Sequence, residues 1–267
     1  VKEDKKIFLG SPVHNKSWCI EEYLRCIEAL EYPKELISLV FFLNDAIDGT
    51  KDILLSELKR LKETYTYNRV EVYEENFGYY DERHRCVRSG TSTGFNLINA
   101  DFSHFALVRN KHKNFLQDED YFFSIDCDVL IKPKVLNMLL ATDRAFVGIP
   151  INNQENRTNY ENEVWPRSNY NIAIKTRKGY VLWKNFPWDD IFEVDLTGAC
   201  VLIHRDIATS YDYHAHQFGE DAGFCGFIKA NGLRIWMDTH RTYEGENVLS
   251  DHAMNKLPTV NINGVNN

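Results

Sequence analysis

Apolar positions in the first half of the chain alternate between two spacings. Lys6-Ile7-Phe8-Leu9-Gly10 is a short apolar run closed by Ser11-Pro12, which predicts a first strand. From Ser17 to Leu30, the positions Ile20, Tyr23, Leu24, Ile27 and Leu30 recur at helical spacing, and Pro33 ends the stretch. Ile37 to Leu43 is almost unbroken apolar sequence, the pattern of a strand covered on both faces. A second helix is expected from Thr50 to Thr64, with Ile53, Leu54, Leu58 and Leu61 on one side. Arg69 to Tyr73 gives a third strand. The polar, glycine-containing stretch from Asn76 to Asn99 predicts a long loop with a short helix. A helix from Phe102 to Phe115 leads into a fourth strand, Tyr121-Phe122-Phe123-Ser124-Ile125. Pro133 opens a helix over Lys132 to Leu140, and Ala145 to Ile149 is a fifth strand.

Strand and helix in alternation predict the α/β class, with a Rossmann-like, mostly parallel sheet flanked by helices. The second half is less regular. Asn152 to Tyr170 is polar and rich in asparagine, and Val194 to His204 reads as a pair of strand segments. Phe218 to Asn231 reads as a helix capped by Gly232, and Leu233 to Met237 as the last strand. No repeat or linker interrupts the chain, so a single domain over 1–267 is expected, with a loose tail at 251–267.

Composition changes this picture little, but it excludes some partners. Hydrophobic residues make up 43% and charged residues 26%, the balance of a soluble globular chain. The formal net charge of −8 argues against nucleic acid, whose phosphates call for a basic surface. A nucleotide substrate stays open, because a divalent cation can carry the positive charge a diphosphate needs. No apolar run approaches the ~20 residues that span a bilayer. The charged start, Val1 to Lys6, lacks the apolar core of a signal peptide. The expectation is a soluble domain, cytoplasmic, or lumenal where an upstream anchor has been removed. The six cysteines form no C-x-x-C pair, so free thiols are expected rather than a zinc site or a disulfide scaffold.

The sharpest chemical feature follows the fourth strand. An apolar run passes directly into Asp126-Cys127-Asp128. In open α/β sheets, ligands bind beyond the carboxyl ends of strands. Two acids there would repel a diphosphate unless a cation lay between, and Mg²⁺-type sites use one or two carboxylates plus substrate phosphates. Strand alternation would send Asp126 and Asp128 to the same side. A polar strand end or a helix cap explains the same pair without a ligand.

Four segments, taken in order, resemble a nucleotide-sugar glycosyltransferase of the GT-A fold, family-two-like. The first is Ser11-Pro12-Val13-His14-Asn15, similar to the opening loop that lies under the nucleoside. The second is Asn44-Asp45-Ala46-Ile47-Asp48-Gly49-Thr50, similar to the loop that reads base and ribose, with Asn44 where an aspartate is common. The third is Leu107-Val108-Arg109-Asn110 leading to Asp126-Cys127-Asp128, similar to an Arg-Asn helix before a D-x-D metal motif. The fourth is Thr197 to His204 followed by Gly219-Glu220-Asp221, similar to an acceptor-side strand and a Glu-Asp base motif. In layout the chain resembles two branches: collagen galactosyltransferase domains and the fungal mannosyltransferases of mannan polymerase complexes.

The resemblance implies a nucleotide-binding half at 1–130, an acceptor-binding half at 131–250 and a tail at 251–267. It implies donor contacts from Pro12, Val13, Asn15, Asn44, Asp45, Asp48, Arg109 and Asp126. It implies Mn²⁺ or Mg²⁺ on Asp128, on Asp126 (directly or through water) and on His240. Asp221 would be the general base of an inverting transfer, assisted by Glu220. The donor would be a nucleotide-diphosphate hexose, UDP-linked first and GDP-mannose second, and the acceptor a glycan, a protein or a lipid-linked sugar. Trp165, Tyr170, Trp183 and Trp188 could line an acceptor groove or simply fill core. A nucleotidyltransferase ranks lower, since the loop after strand one has no glycine. An inactive sugar-binding homologue is the remaining alternative.

Overall fold

In chain order the elements are β1 (Ile7–Gly10), β2 (Pro12–Val13), α1 (Ile20–Glu28), β3 (Ile37–Asn44), α2 (Thr50–Thr64), β4 (Arg69–Glu75), β5 (Val87–Thr91) and β6 (Gly94–Ile98). Then come α3 (Phe102–Lys113), β7 (Tyr121–Ile125), β8 (Val129–Leu130), α4 (Val135–Ala141), β9 (Phe146–Gly148) and β10 (Ile151–Asn152). The second half adds β11 (Ile172–Thr176), β12 (Gly179–Leu182), β13 (Ile191–Val194), β14 (Leu196–Thr197), β15 (Cys200–His204), α5 (Arg205–Ser210) and α6 (Glu220–Ala230). It ends with β16 (Ile235–Asp238), β17 (Thr242–Tyr243), β18 (Glu246–Asn247) and β19 (Ser250–His252). The computed structural model describes residues 4–78, 87–91, 94–98, 102–152, 170–183 and 185–252.

Side chains along a strand point alternately to its two faces, and this divides the core in two. Ile7 and Leu9 of β1 face a cluster built with α1, α2 and α4; Phe8 faces one built with α3, α5 and α6. All eight residues of β3 are buried, which explains its unbroken apolar pattern. The central sheet runs β13-β16-β9-β15-β7-β1-β3, with β2 and β4 also pairing with β3. β1, β3, β4 and β7 are parallel, and β16 is parallel to β9. β15 runs against β7 and β9, and β13 against β16. The large, mostly parallel sheet between helices is the fold class expected from the sequence. Its consequence for function is that β1, β3, β7, β9 and β16 all end on one edge of the sheet.

The differences fall where elements are short or the pattern is polar. Part of the stretch read as a loop with a short helix is the antiparallel pair β5–β6. The hairpin β11–β12 and the helix α5 carry no clear period in the sequence. Strand β16 is not the last. β19 follows it, and pairs with β8 and β10, so Asp251 and His252 belong to a strand rather than to a loose tail. The Asn-rich end beyond them, Cys86 and Trp165 lie outside the described residues. The five described cysteines are free. Among the described residues, no helix is long and apolar enough to cross a membrane.

Candidate active site

The end of β7 is fixed from behind. The Ile125 carbonyl accepts hydrogen bonds from Ser11 Oγ and from Tyr23 OH (3.2 Å), and those two hydroxyls lie 3.0 Å apart. Regular strand geometry stops there. The Asp126 N–H donates to the Ala199 carbonyl at 2.7 Å, and the Val129 N–H closes a turn onto the Asp126 carbonyl at 2.9 Å. Strand alternation therefore does not govern Asp126 and Asp128, and the expectation that it would aim both to one side is corrected. They take different partners. Asp126 accepts from Arg109 Nη2 at 2.9 Å, whereas Asp128 is ion-paired with Lys16.

Arg109 gathers three of the six predicted acidic residues. Its Nε donates to Glu220 at 2.8 Å and lies 3.9 Å from Asp221, while its guanidinium sits 5.7 Å from the Tyr213 ring centroid. The next residue, Asn110, pins the backbone of Tyr213 from both sides, accepting from its N–H at 2.7 Å and donating to its carbonyl at 2.9 Å. The Arg-Asn pair thus places a cation and the aromatic wall behind it in one step. Burial works against the charge on Arg109, but Asp126, Asp221 and Glu220 outweigh it and hold the guanidinium well above its ordinary value. Burial pushes the Asp126 carboxyl up, Arg109 pulls it down, and Asp128 and Glu220 push it up again. For Asp221, burial opposed by Arg109 and reinforced by Glu220 and Asp126 raises the value to about 7. Its side chain is still 30% exposed, so a hydroxyl can reach it.

Gly198 gives Asp221 its room. A Cβ on Gly198 would stand 2.1 Å from Asp221 Oδ2, well inside contact distance. Gly198→Ala is expected to displace the carboxylate and lower kcat by about 10²-fold while the domain stays folded. Steady-state kinetics beside a thermal melt check this; an unchanged kcat would separate Gly198 from the placement of Asp221.

A second group of predicted residues surrounds the end of β3. Pro12 and Val13 pair with Phe42 and Leu43, and the Pro12 carbonyl accepts from Cys127 Sγ at 3.5 Å. Asn15 Oδ1 accepts from the Ile47 N–H at 2.9 Å, and the buried Asn44 has its carbonyl 2.9 Å from His14 Nδ1. Asp48 is occupied locally, accepting from the N–H and hydroxyl of both Ser17 and Thr50. Burial would raise its carboxyl, but these hydrogen bonds prevail and hold it below the usual value. Asp45 differs. Its Oδ1 accepts from the N–H groups of Phe77 (2.9 Å) and Gly78 (3.0 Å), and among the described residues its buried Oδ2 has no partner.

His240 follows β16, three strands from β7, or roughly 14 Å across the sheet at the ordinary strand spacing. Its Nδ1 lies 2.8 Å from the buried Asp238 carboxylate, and its side chain is 43% exposed. Among the described residues, no three His, Cys, Asp or Glu side chains are grouped closely enough to hold a cation. The expected set of Asp126, Asp128 and His240 is therefore not preassembled. Of the candidate groove aromatics, Tyr170 and Trp188 pack on Phe186, and Trp183 on Phe192, as the margin of the second core cluster.

With this arrangement in view, comparison with known proteins is decisive. The pattern of the Anp1 family matches residues 1–200. The chain belongs to the Anp1 family. This Anp1 domain is also similar to procollagen galactosyltransferase 2 of Homo sapiens, 23% identical over 257 residues, covering 86% of the chain. It spans only 38% of that relative's length. Among solved structures it is similar to S. aureus TarS 1–349 in complex with UDP-GlcNAc (TM-score 0.50, 14% identity, 91% of this chain and 60% of that one). It is likewise similar to a mannosyltransferase from Pyrobaculum calidifontis in complex with GDP-Man and Mn²⁺ (TM-score 0.51, 13% identity, 91% and 59%). At these identities the structural likeness speaks for the fold, which is the GT-A type. The relatives and neighbours are glycosyltransferases, in line with the resemblance read from the four segments.

The Anp1 domain's own donor atoms fit a hard divalent cation in kind: carboxylate oxygens and one imidazole. Asp238 behind His240 Nδ1 is the arrangement that orients a ligating histidine. The carboxylates Asp126, Asp128, Glu220 and Asp221 outnumber the cations Arg109 and Lys16 with which they pair. Sequence reasoning missed Lys16 and Tyr213. Lys16 directly follows Asn15, the last residue of the first of the four segments, and its charge was the available signal. Tyr213 carries no local signal, since its role depends on a fold-back onto α3.

Proposed function

We propose that the Anp1 domain transfers a hexose from a nucleoside diphosphate sugar to an acceptor hydroxyl with inversion. The carrying observation is Asp221, a carboxylate raised to about 7 by burial and acidic neighbours, open at the C-terminal edge of the sheet. The acceptor oxygen forms a bond to the anomeric carbon, and its proton passes to Asp221. The bond from that carbon to the diphosphate oxygen breaks, its electron pair leaving with the diphosphate. Glu220 and Asp126 keep Asp221 basic enough for the task, and Arg109 holds the three acids in register. Asp128, Asp126 and His240 are the residues that would hold Mn²⁺ or Mg²⁺, which supplies Lewis-acid stabilisation of the departing diphosphate. The Pyrobaculum neighbour, in complex with GDP-Man and Mn²⁺, supports the use of a divalent cation.

For the nucleotide, Asp45 supports UDP. Its one unpartnered buried oxygen suits a base presenting a single N–H donor, as uracil does at N3. Guanine presents two adjacent donors and would call on both oxygens, one of which is held by Phe77 and Gly78. GDP-mannose remains the second reading, favoured by the GDP-Man-bound neighbour.

A thermal-shift screen of UDP- and GDP-hexoses with and without Mn²⁺ tests this directly, because specific binding stabilises the fold by mass action. A UDP-hexose with Mn²⁺ is expected to give the largest rise in Tm. Asp45→Asn, which turns an acceptor into a donor, is expected to weaken UDP binding about tenfold or more. A rise with GDP-mannose alone moves the assignment to mannosyl transfer. No response to any nucleotide sugar sinks it.

A further inference from the structure

Lys16 is held at its main chain and extended at its side chain. Its N–H donates to Thr50 Oγ1 at 2.7 Å, and its carbonyl accepts from the N–H groups of Cys19 (3.0 Å) and Ile20 (2.8 Å), just ahead of α1. From this anchor the ammonium passes within 5.8 Å of the Trp18 ring centroid and reaches Asp128, 112 positions away. The pair is mostly enclosed, with 24% of the Lys16 side chain and 19% of the Asp128 side chain exposed. Neither the Glu-Asp chemistry nor the fold's core explains why a lysine should lie across the second aspartate of a metal motif.

We propose that Lys16 is a built-in counter-ion, holding the divalent cation's place at Asp128 until a nucleoside diphosphate binds, and then moving to the diphosphate. The proposal rests on the reading of Asp128 as a metal ligand. An ammonium and a divalent cation repel, so they compete for one enclosed carboxylate. In the empty domain Lys16 gives Asp128 a cationic partner, as Arg109 does Asp126, which lowers the cost of enclosing the carboxylate. A diphosphate offers the ammonium a new anionic partner, and the four-carbon stem can pivot without moving the anchored main chain. Cation and nucleotide then favour one another's binding, a coupling that must be reciprocal.

The test is Mn²⁺ binding followed by electron paramagnetic resonance, with and without UDP, on the wild-type chain, Lys16→Met, Lys16→Gln and the double variant Lys16→Met/Asp128→Asn. Without nucleotide, both single lysine variants are expected to bind Mn²⁺ roughly tenfold more tightly than wild type, and the double variant to lose that gain. In the single variants, UDP is expected to tighten Mn²⁺ binding less than it does in wild type. Two variants of different polarity guard against a folding defect in either, and a circular dichroism melt checks each. Lysine variants that bind Mn²⁺ no more tightly than wild type, while UDP promotes Mn²⁺ binding by wild type, overturn the lysine's role alone. No Mn²⁺ binding by any of the proteins, with or without UDP, overturns the metal reading and this proposal with it.

Discussion

Asp221→Asn is expected to lower kcat for sugar transfer by about 10³-fold while leaving donor affinity nearly unchanged. The substitution keeps size and shape but removes the lone pair that takes the acceptor's proton. Glu220 cannot stand in for it, because its carboxylate is already engaged by Arg109 Nε at 2.8 Å. Kinetics with varied donor and acceptor check the split. A fall in donor affinity to match the fall in kcat would make Asp221 a structural residue. Retention of anomeric configuration in the product would remove it from the role of base.

The pH dependence follows from the same residue. A base must be unprotonated to act, so the wild-type rate should climb through about pH 7, where Asp221 loses its proton, and the ascending limb should vanish in Asp221→Asn. Stability should run the other way. The folded value is raised above the unfolded carboxylate value of about 3.9, so the folded state binds this proton more tightly than the unfolded chain. That contribution is complete below the unfolded value and is lost as pH rises through about 7. Asp221→Asn lacks the loss, so its Tm should gain on the wild type between pH 5 and 8. A group kept at such a cost to stability suits function better than folding.

How much of this was readable in the sequence depends on whether a residue's role is local. The strands β1, β3 and β7 and the helix α2 were legible because burial on both faces, or one apolar stripe, writes a period into the sequence. The two-residue strands β8 and β10 and the late strand β19 have no room for a period, yet together they return the chain to the Asp-x-Asp loop. The site divides in the same way. Asp126, Asp128, Glu220 and Asp221 stood out as acids at the ends of patterned elements. Their partners did not. That Arg109 would reach Glu220, 111 positions away, while also holding Asp126, or that Lys16 would lie across Asp128, follows only from the sheet order. Asp48 shows the reverse case. It matched a ligand motif, and its carboxylate is taken up by the turn that starts α2.

Arg109→Met is expected to destabilise the domain by about 3–5 kcal/mol at neutral pH, the usual cost of removing one member of a buried ionic cluster. The arginine is 13% exposed and meets Asp126 at 2.9 Å, Glu220 at 2.8 Å and Asp221 at 3.9 Å. Methionine can fill the space along Tyr213 but leaves three neighbouring carboxylates with no cation among them. They would answer by taking up protons, so the loss should be largest at pH 8 and shrink as the pH falls and the acids become neutral. Arg109 also lowers the Asp221 value, so any residual activity should show its ascending limb above pH 7. Arg109→Lys restores the charge but not the fork that addresses Asp126 and Glu220 through different nitrogens, and should recover only part of the stability. Urea denaturation across this pH range measures the series. Equal midpoints for wild type and Arg109→Met at pH 8 would mean that the carboxylates find charge elsewhere, and the account of Arg109 as the centre of the site would fail.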